Sequence, residues 1–222
     1  MRALLLDYDG TLARVNENQF VQEYFQRLKD FVFTEYSLTI SFRDILECAE
    51  HITNFADGKK NNYVRFLSCF AARYQSSIDW KVIFDRFYQS KFFDDLSVFV
   101  KPNLPVIELL RRLRTDSYKV VLATNPVFPK TAVLKRIDWI GLNESDFDFI
   151  TYMENSYFCK PDPRYFLGIC SIISVKPENC IMIGNDDMFD KSCEKVGIKY
   201  LPVEKIEGGE WDGTGLAERE KS

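Results

Sequence analysis

The sequence predicts an α/β fold: a Rossmann-like parallel sheet core flanked by helices, carrying an inserted all-α helical bundle as a cap. Three observations predict it. Residues 3–12 read Ala-Leu-Leu-Leu-Asp-Tyr-Asp-Gly-Thr-Leu, an apolar run that stops abruptly at two carboxylates. Residues 16–95 carry apolar residues at helical spacing throughout. From about residue 100, helical and strand-like segments alternate, which is the pattern of a parallel sheet.

The first element, residues 3–7, is short, apolar and nearly uncharged until Asp7, so it suits a strand buried on both faces. Gly10 lets the chain turn sharply where that strand ends. Four helical stripes follow. Phe20, Val21, Tyr24, Phe25, Leu28, Phe31 and Val32 make the first. Phe42, Ile45, Leu46, Ala49 and Ile52 make the second, with Ser41 as N-cap and Asp44 three residues on. Tyr63, Phe66, Leu67, Phe70, Ala71 and Tyr74 make the third, and Trp80, Ile83, Phe84, Phe87 and Tyr88 the fourth. Four amphipathic helices of this size can bundle. Aromatic stripes of this kind suit core packing better than a ligand box. The polar run 59–62 reads as a turn between helices.

Beyond residue 100 the spacing predicts a helix over 105–113, a strand over 118–123 and a helix over 130–139. A short strand over 149–151, a helix over 163–173 and a strand over 180–183 come next. A helix over 188–196 and a strand over 198–203 complete the pattern. The first strand has no partner among the helices that follow it, so it must join this later sheet. The expected division is a discontinuous core of residues 1–15 and 97–206, a helical cap of 16–96, and a polar tail of 207–222. That tail holds four glycines and is expected to be weakly ordered.

Composition narrows the chemistry. A chain of 222 residues can bury a full core. A net charge of −4 offers no basic excess to neutralise phosphates, which argues against nucleic acid as a partner. No apolar stretch approaches membrane-spanning length, so no membrane role is expected. The first apolar run ends at Asp7, too soon for a signal peptide. Six scattered cysteines lack any Cys-x-x-Cys pair, which suggests reduced thiols and a cytoplasmic location. His51 is the only histidine, so zinc sites and Ser-His-Asp triads are disfavoured, and His51 itself reads as structural or surface. Chemistry here must rest on carboxylates, hydroxyls, lysines or a metal.

Asp7 and Asp9, held two residues apart, need a cation or a proton. A hard divalent ion with oxygen ligands is the natural partner. A calcium loop fits poorly, because Gly10 follows Asp9 directly and position twelve is Asn18. In open parallel sheets, ligands bind outside the carboxyl ends of the strands. Other polar groups converge there. The strand ending at Ala123 runs into Thr124 and Asn125, and the strand ending at Ile183 runs into Gly184, Asn185, Asp186 and Asp187, with Asp190 a turn further. Between them, Cys159-Lys160-Pro161-Asp162-Pro163 is a rigid turn with a lysine before a helix start. Each piece has a plain structural account: an Asp-Gly turn, an Asn-Pro turn, a loop lysine, acids at a helix N-terminus. Together they supply the parts for phosphoryl transfer. Asp7 is a candidate nucleophile, Asp9 a candidate proton donor, Thr124 and Lys160 candidate phosphoryl ligands, and Asp186 with Asp7 a candidate magnesium site. Arg14, Arg65 and Arg73 are candidates for a second anionic group, though each suits the surface better.

The order of these pieces resembles the haloacid dehalogenase (HAD) superfamily, specifically its phosphatases with a helical cap after the first motif. Asp7-Tyr8-Asp9-Gly10-Thr11 matches the first motif, Thr124 the second, Lys160-Pro161 the third, and Gly184 to Asp190 the fourth. The stretches 123–129 and 154–161 look typical of a bacterial group within it. The resemblance implies a two-step hydrolysis of a small phosphorylated metabolite through an aspartyl phosphate on Asp7. It implies that Gly10, Thr11, Thr124, Asn125 and Lys160 meet the phosphate. It implies Mg2+ on Asp7, the Asp9 carbonyl and a fourth-motif acid. Many members have Asp where this chain has Asn185, which points to Asp186, with Asn185 or Asp190 as a further or water-mediated ligand. A phosphomutase or a 2-haloacid dehalogenase shares the fold, and a noncatalytic phosphate-binding regulatory module is the alternative of another class. The dehalogenase lacks an acid at the position of Asp9. A monomer or homodimer is expected.

Overall fold

The structure is a computed structural model and describes residues 1–75, 77–115 and 118–211. Its central sheet has five parallel strands: β1 (Arg2–Leu6), β4 (Tyr118–Leu122), β5 (Phe149–Ile150), β6 (Cys180–Gly184) and β7 (Lys199–Pro202). Their order is β5-β4-β1-β6-β7, so the chain's first strand lies at the centre. Leu4 pairs with Val120 on one side and Ile181 on the other. This is the partnering that the lone first strand requires. Its side chains alternate across the sheet. Leu4 and Leu6 pack on one face, while Ala3 and Leu5 pack on the other against Tyr165, Phe166 and Ile169 of α8 (Pro163–Ile173). A strand covered on both faces reads as an unbroken apolar run, which explains the sequence of β1.

A helical block lies between β2 (Ala13–Val15) and β3 (Val100–Pro102). It consists of α1 (Glu17–Tyr36), α2 (Phe42–Asn54), α3 (Asn62–Ala71), α4 (Trp80–Gln89) and the short α5 (Lys91–Asp94). Each long helix starts on a side chain that accepts a free backbone N–H. Asn16 takes Gln19 N, Ser41 takes Arg43 N, Asn61 takes Val64 N, and Asp79 takes Val82 N. The buried stripe of α1 is Phe20, Tyr24, Leu28, Phe31 and Val32, as helical period requires. Phe87 of α4 is fully buried and meets the rings of Tyr24, Phe31 and Phe93 at 5.8, 5.5 and 5.7 Å. One apolar cluster runs from Leu4 and Leu6 through these helices. The block therefore shares its core with the sheet.

Helices α6 (Leu104–Thr115), α7 (Lys130–Trp139), α8 and α9 (Glu204–Glu207) complete the α/β part. Among the described residues, no helix is long and apolar enough to cross a membrane.

Three details differ from expectation. Strands β2 and β3 pair antiparallel, Ala13 opposite Pro102 and Val15 opposite Val100, and tie together the entry and exit of the helical block. Three-residue strands carry too little pattern to be seen in sequence. The predicted helix over 188–196 is replaced by a turn and a 3-10 segment, Lys191–Val196. The reason is that Asp186 Oδ1 takes the N–H groups of Met188 and Phe189, while Asp190 is drawn inward to Lys160. Cys48 and Cys69 are joined as a disulfide, correcting the expectation of reduced thiols for this pair; α2 and α3 pack face to face and bring their Cα atoms within 5.7 Å. Cys159, Cys170, Cys180 and Cys193 are free and buried. Of the expected weak tail, residues 212–222 lie outside the described residues. Glu207 is anchored to Arg14 and Asn103, and Trp211 packs on the core.

The shared aromatic core generates a stability prediction. Phe87→Ala should destabilise the fold by about 3–5 kcal/mol, the usual range for a buried phenylalanine. Phe33, 63% exposed on the same bundle, should tolerate alanine within about 0.5 kcal/mol. Urea unfolding of both variants measures the contrast, and similar losses would show that the ring cluster does not hold the block.

Candidate active site

The ladder hydrogen bonds extend one residue past β1. Asp7 N donates to Ile183 O at 3.0 Å, and Ala123 N donates to Leu6 O at 2.8 Å. Asp7, Thr124 and Gly184 therefore reach the carboxyl edge of the sheet side by side. A tight turn follows. Thr11 N and Ala13 N both donate to Tyr8 O, and Gly10 N donates to Ala13 O. Gly10 sits at φ 73°, and any Cβ there would strike the Asn185 side chain. Thr11 Oγ1 donates to Asn185 Oδ1 at 3.4 Å. Gly10 and Thr11, which the family resemblance puts at the phosphate, use their amides to close this turn.

Lys160 is the centre of the edge. Its side chain is 1% exposed, and Nζ donates to Asp7 Oδ1 at 2.7 Å and to Asp190 Oδ1 at 2.6 Å. Asp190 Oδ2 accepts from Asn185 N at 3.1 Å and Asp186 N at 3.2 Å. Both Asp190 oxygens are thus occupied by this chain. Gly184 leaves room for them, since a Cβ there would collide with Asp190. The Lys160 amide donates to Asn125 Oδ1 at 3.2 Å, so Asn125 positions the lysine loop, where the Lys160-Pro161 peptide is cis. Thr124 O accepts from both the Thr151 hydroxyl and the Tyr165 hydroxyl at 2.8 Å. Burial pushes the Asp7 carboxyl up to about 7, against the pull of Lys160, and neighbouring Asp190 adds to the rise. Burial opposes the charge on Lys160, but Asp7 and Asp190 outweigh it and hold the ammonium above its ordinary range.

Two residues of this edge escaped the sequence reading. Arg136 of α7 is 3% exposed, and its Nη2 donates to Asp9 Oδ1 at 2.5 Å. Its guanidinium lies over the rings of Tyr8, Phe128 and Phe20 at 4.3, 4.9 and 5.3 Å. A signal existed: Arg136 shares the buried stripe of α7 with Ala132, Val133 and Ile137. Glu17, at the start of α1, faces the same edge; partial burial raises its carboxyl, with Asp9 and Asp186 contributing.

A cavity of about 380 Å³ opens from this edge toward the helical block. Asp7, Asp9, Thr124, Asn125, Lys160, Asn185, Asp186 and Asp190 all line it; Gly10 and Thr11 do not. Neither His51 nor Arg14, Arg65 or Arg73 lines it. Arg65 donates to Ile52 O and Asn62 Oδ1, Arg73 pairs with Asp44 and Glu47, and Arg14 pairs with Glu207.

Among the described residues, no three His, Cys, Asp or Glu side chains cluster tightly enough to hold a metal by themselves. The set expected for magnesium is smaller: two carboxylates, Asp7 and Asp186, and the Asp9 carbonyl. These are all hard oxygen donors. Magnesium typically takes one or two carboxylates and keeps waters and phosphate oxygens for the rest, so the donor set fits. Asp186 engages its Oδ1 with backbone amides, which fixes the carboxylate and leaves Oδ2 for a cation.

The raised Asp7 carboxyl has a consequence for stability. An unfolded aspartate ionises near 3.8, and folded Asp7 near 7. Between these values the folded chain holds a proton that the unfolded chain has released. The stability contributed by that proton is complete below the unfolded value and is lost as pH rises through the folded one. Asp7→Asn has no such proton. In chelator, its stability relative to the native chain should therefore rise between about pH 4 and about pH 7. Urea midpoints of both proteins across this range measure it, and a flat difference would show that Asp7 ionises normally.

Residues 1–190 match the family described as haloacid dehalogenase-like hydrolases. Solved structures agree on the fold. A 2-haloacid dehalogenase from Pseudomonas syringae pv. Tomato DC3000 superposes with TM-score 0.61 at 18% identity, over 90% of this chain and 85% of that one. A HAD phosphatase from Thermococcus onnurineus gives 0.55 at 20% identity, over 90% and 85%. A HAD-family enzyme from Bacteroides thetaiotaomicron, in complex with magnesium and inorganic phosphate, gives 0.54 at 13% identity, over 91% and 93%. With its acids, lysine and loops gathered at the carboxyl edge of this sheet, the chain belongs to the haloacid dehalogenase-like hydrolases.

Proposed function

We propose that this hydrolase is a magnesium-dependent phosphomonoesterase that works through an aspartyl phosphate on Asp7. The observation that carries the reading is the buried bridge from Asp7 through Lys160 to Asp190 beside a cavity of about 380 Å³. The acid at Asp9 favours it over dehalogenation, which needs no second acid.

Asp7 attacks phosphorus. The bond to the leaving oxygen breaks, and that oxygen takes the electron pair and a proton from Asp9. Water, deprotonated by Asp9, then attacks the phosphoaspartate, and inorganic phosphate leaves. Lys160 orients Asp7 Oδ1, and an ammonium has three donors, so one remains for a phosphoryl oxygen. Thr124 supplies a hydroxyl beside it. Asp190 keeps Lys160 charged and aimed. Asp9 must part from Arg136 Nη2 before its Oδ1 can serve the leaving group. Asp7, Asp186 and the Asp9 carbonyl would hold magnesium, which when bound neutralises phosphoryl charge that repels the attacking carboxylate. The helical block supplies the apolar wall that faces this chemistry.

Rapid-quench kinetics with labelled 4-nitrophenyl phosphate test the reading. Turnover should require magnesium, disappear on chelation, and not be restored by calcium, whose looser coordination misplaces Asp7. Asp7→Asn should form no phosphoprotein and show no turnover. Asp9→Asn should slow alkyl phosphates by about 10²- to 10⁴-fold, the weight of general acid–base catalysis. It should spare the first step with nitrophenolate as leaving group. A hydroxylamine-sensitive phosphoprotein on Asp7→Asn, or full activity in chelator, would refute it.

A further inference from the structure

We infer that the phosphomonoester this site takes carries an uncharged, apolar leaving group of aryl or arylalkyl type. The inference rests on the phosphomonoesterase reading and specifies its substrate.

The cavity is divided by chemistry. Its charged residues are Asp7, Asp9, Glu17, Arg136, Lys160, Asp186 and Asp190, and these belong to the sheet edge or the start of α1. Among the described residues, helices α1–α4 supply twelve of the 27 that line it, and Glu17 is the only charged one of those twelve. Nine of the 27 are aromatic. Phe20 and Phe25 of α1, Ile45 and Leu46 of α2, Phe66 of α3 and Phe84 of α4 form the wall opposite the acids. Phe128 and Met153 add apolar surface to the lining.

The few polar atoms on that wall are already engaged. The Tyr24 and Tyr88 hydroxyls bond each other at 2.7 Å, and the Tyr63 hydroxyl donates to Asp85 at 2.7 Å. The first pair leaves one hydroxyl proton for a ligand. A sugar or polyol would bury several hydroxyls here without partners, and each such group is costly to strip of water. A second phosphate or carboxylate fares worse. Among the described residues, the two cations that line the cavity are held by Asp9 and by Asp7 with Asp190, and Arg65 and Arg73 are engaged elsewhere. Apolar surface gains by entering, and rings gain further from edge contacts with the aromatic wall.

Kinetics with matched leaving groups test this in magnesium-loaded protein. 2-Phenylethyl phosphate and glycerol 3-phosphate both release a primary alkoxide, so leaving-group chemistry is nearly constant. The kcat/KM for the phenylethyl ester should exceed that for glycerol 3-phosphate by about 10- to 100-fold, the scale expected for burying a ring. Leu46 is 37% exposed and Ala49 half-buried on α2, so Leu46→Glu and Ala49→Glu put a carboxylate in the wall while keeping a helix former. Each should reduce that preference at least about tenfold. Binding of 3-phenylpropylphosphonate against methylphosphonate, by calorimetry, reads the same wall without turnover.

Hydrolysis of both esters within threefold of each other, or a preference for glycerol 3-phosphate, overturns the apolar leaving group and leaves the phosphomonoesterase standing. Absence of hydrolysis with tighter binding of the phenylpropyl compound overturns the phosphomonoesterase and retains the apolar site. Equal binding of the two phosphonates overturns the apolar site in either case.

Discussion

Lys160, Asp7 and Asp190 gather three ionisable groups where water scarcely reaches, and such a set persists only when every partner is fixed. Taking one member away from a buried set of this kind costs about 3–5 kcal/mol, because a charge is left unpaired. The surrounding structure reads as the means of preventing that. Ladder bonds from β6 hold the Asp7 backbone. Asn125 holds the Lys160 amide. The amides of Asn185 and Asp186 hold the far oxygen of Asp190, and Gly184 makes room for it. Three separate strand ends are thereby locked into one register. The lysine also sets one positive charge between two carboxylates of this edge and holds Asp7 Oδ1 in place.

The helical block solves a different problem. Its aromatic stripes close onto the sheet, but they do not fill all the space above the acids. Phe87 and Phe93 have rings on several sides and serve as core. Phe20, Phe66 and Phe84 are buried too, but each also lines the cavity. The same residue type at the same spacing thus does two things, and only the packing separates them.

That distinction marks how far the sequence could be read. The parallel sheet followed from the alternation of helical and strand-like segments, and the joining of β1 to it from an apolar run that nothing nearby could pair; its central place is visible only in the strand order. The convergence of Asp7, Thr124, Lys160 and Asp186 followed from strand ends, because a parallel sheet puts all its carboxyl ends on one edge. Periodicity stated which helix faces are buried. It could not state whether they are buried against protein or against space for a ligand, so the aromatic stripes read as core throughout. Arg136 was missed because an arginine is ordinarily a surface residue; its place on the buried stripe of α7 was the available clue. The β2–β3 ribbon was too short to carry a pattern, and the Cys48–Cys69 bond depends on a pairing of helices that spacing alone does not specify.

Arg136 joins the two halves of the site. One end of its guanidinium holds Asp9, and its faces rest on Tyr8, Phe20 and Phe128. Phe20 and Phe128 also line the cavity, so the residues that would touch an apolar ligand are those that fix the arginine. Asp9, held by this clamp, also lines the cavity. Displacing a carboxylate from a buried guanidinium requires free energy, and contacts remote from phosphorus are a source for it. Phe20 and Phe128 therefore face both ways: they line the apolar end of the cavity and they rest against the guanidinium that holds Asp9.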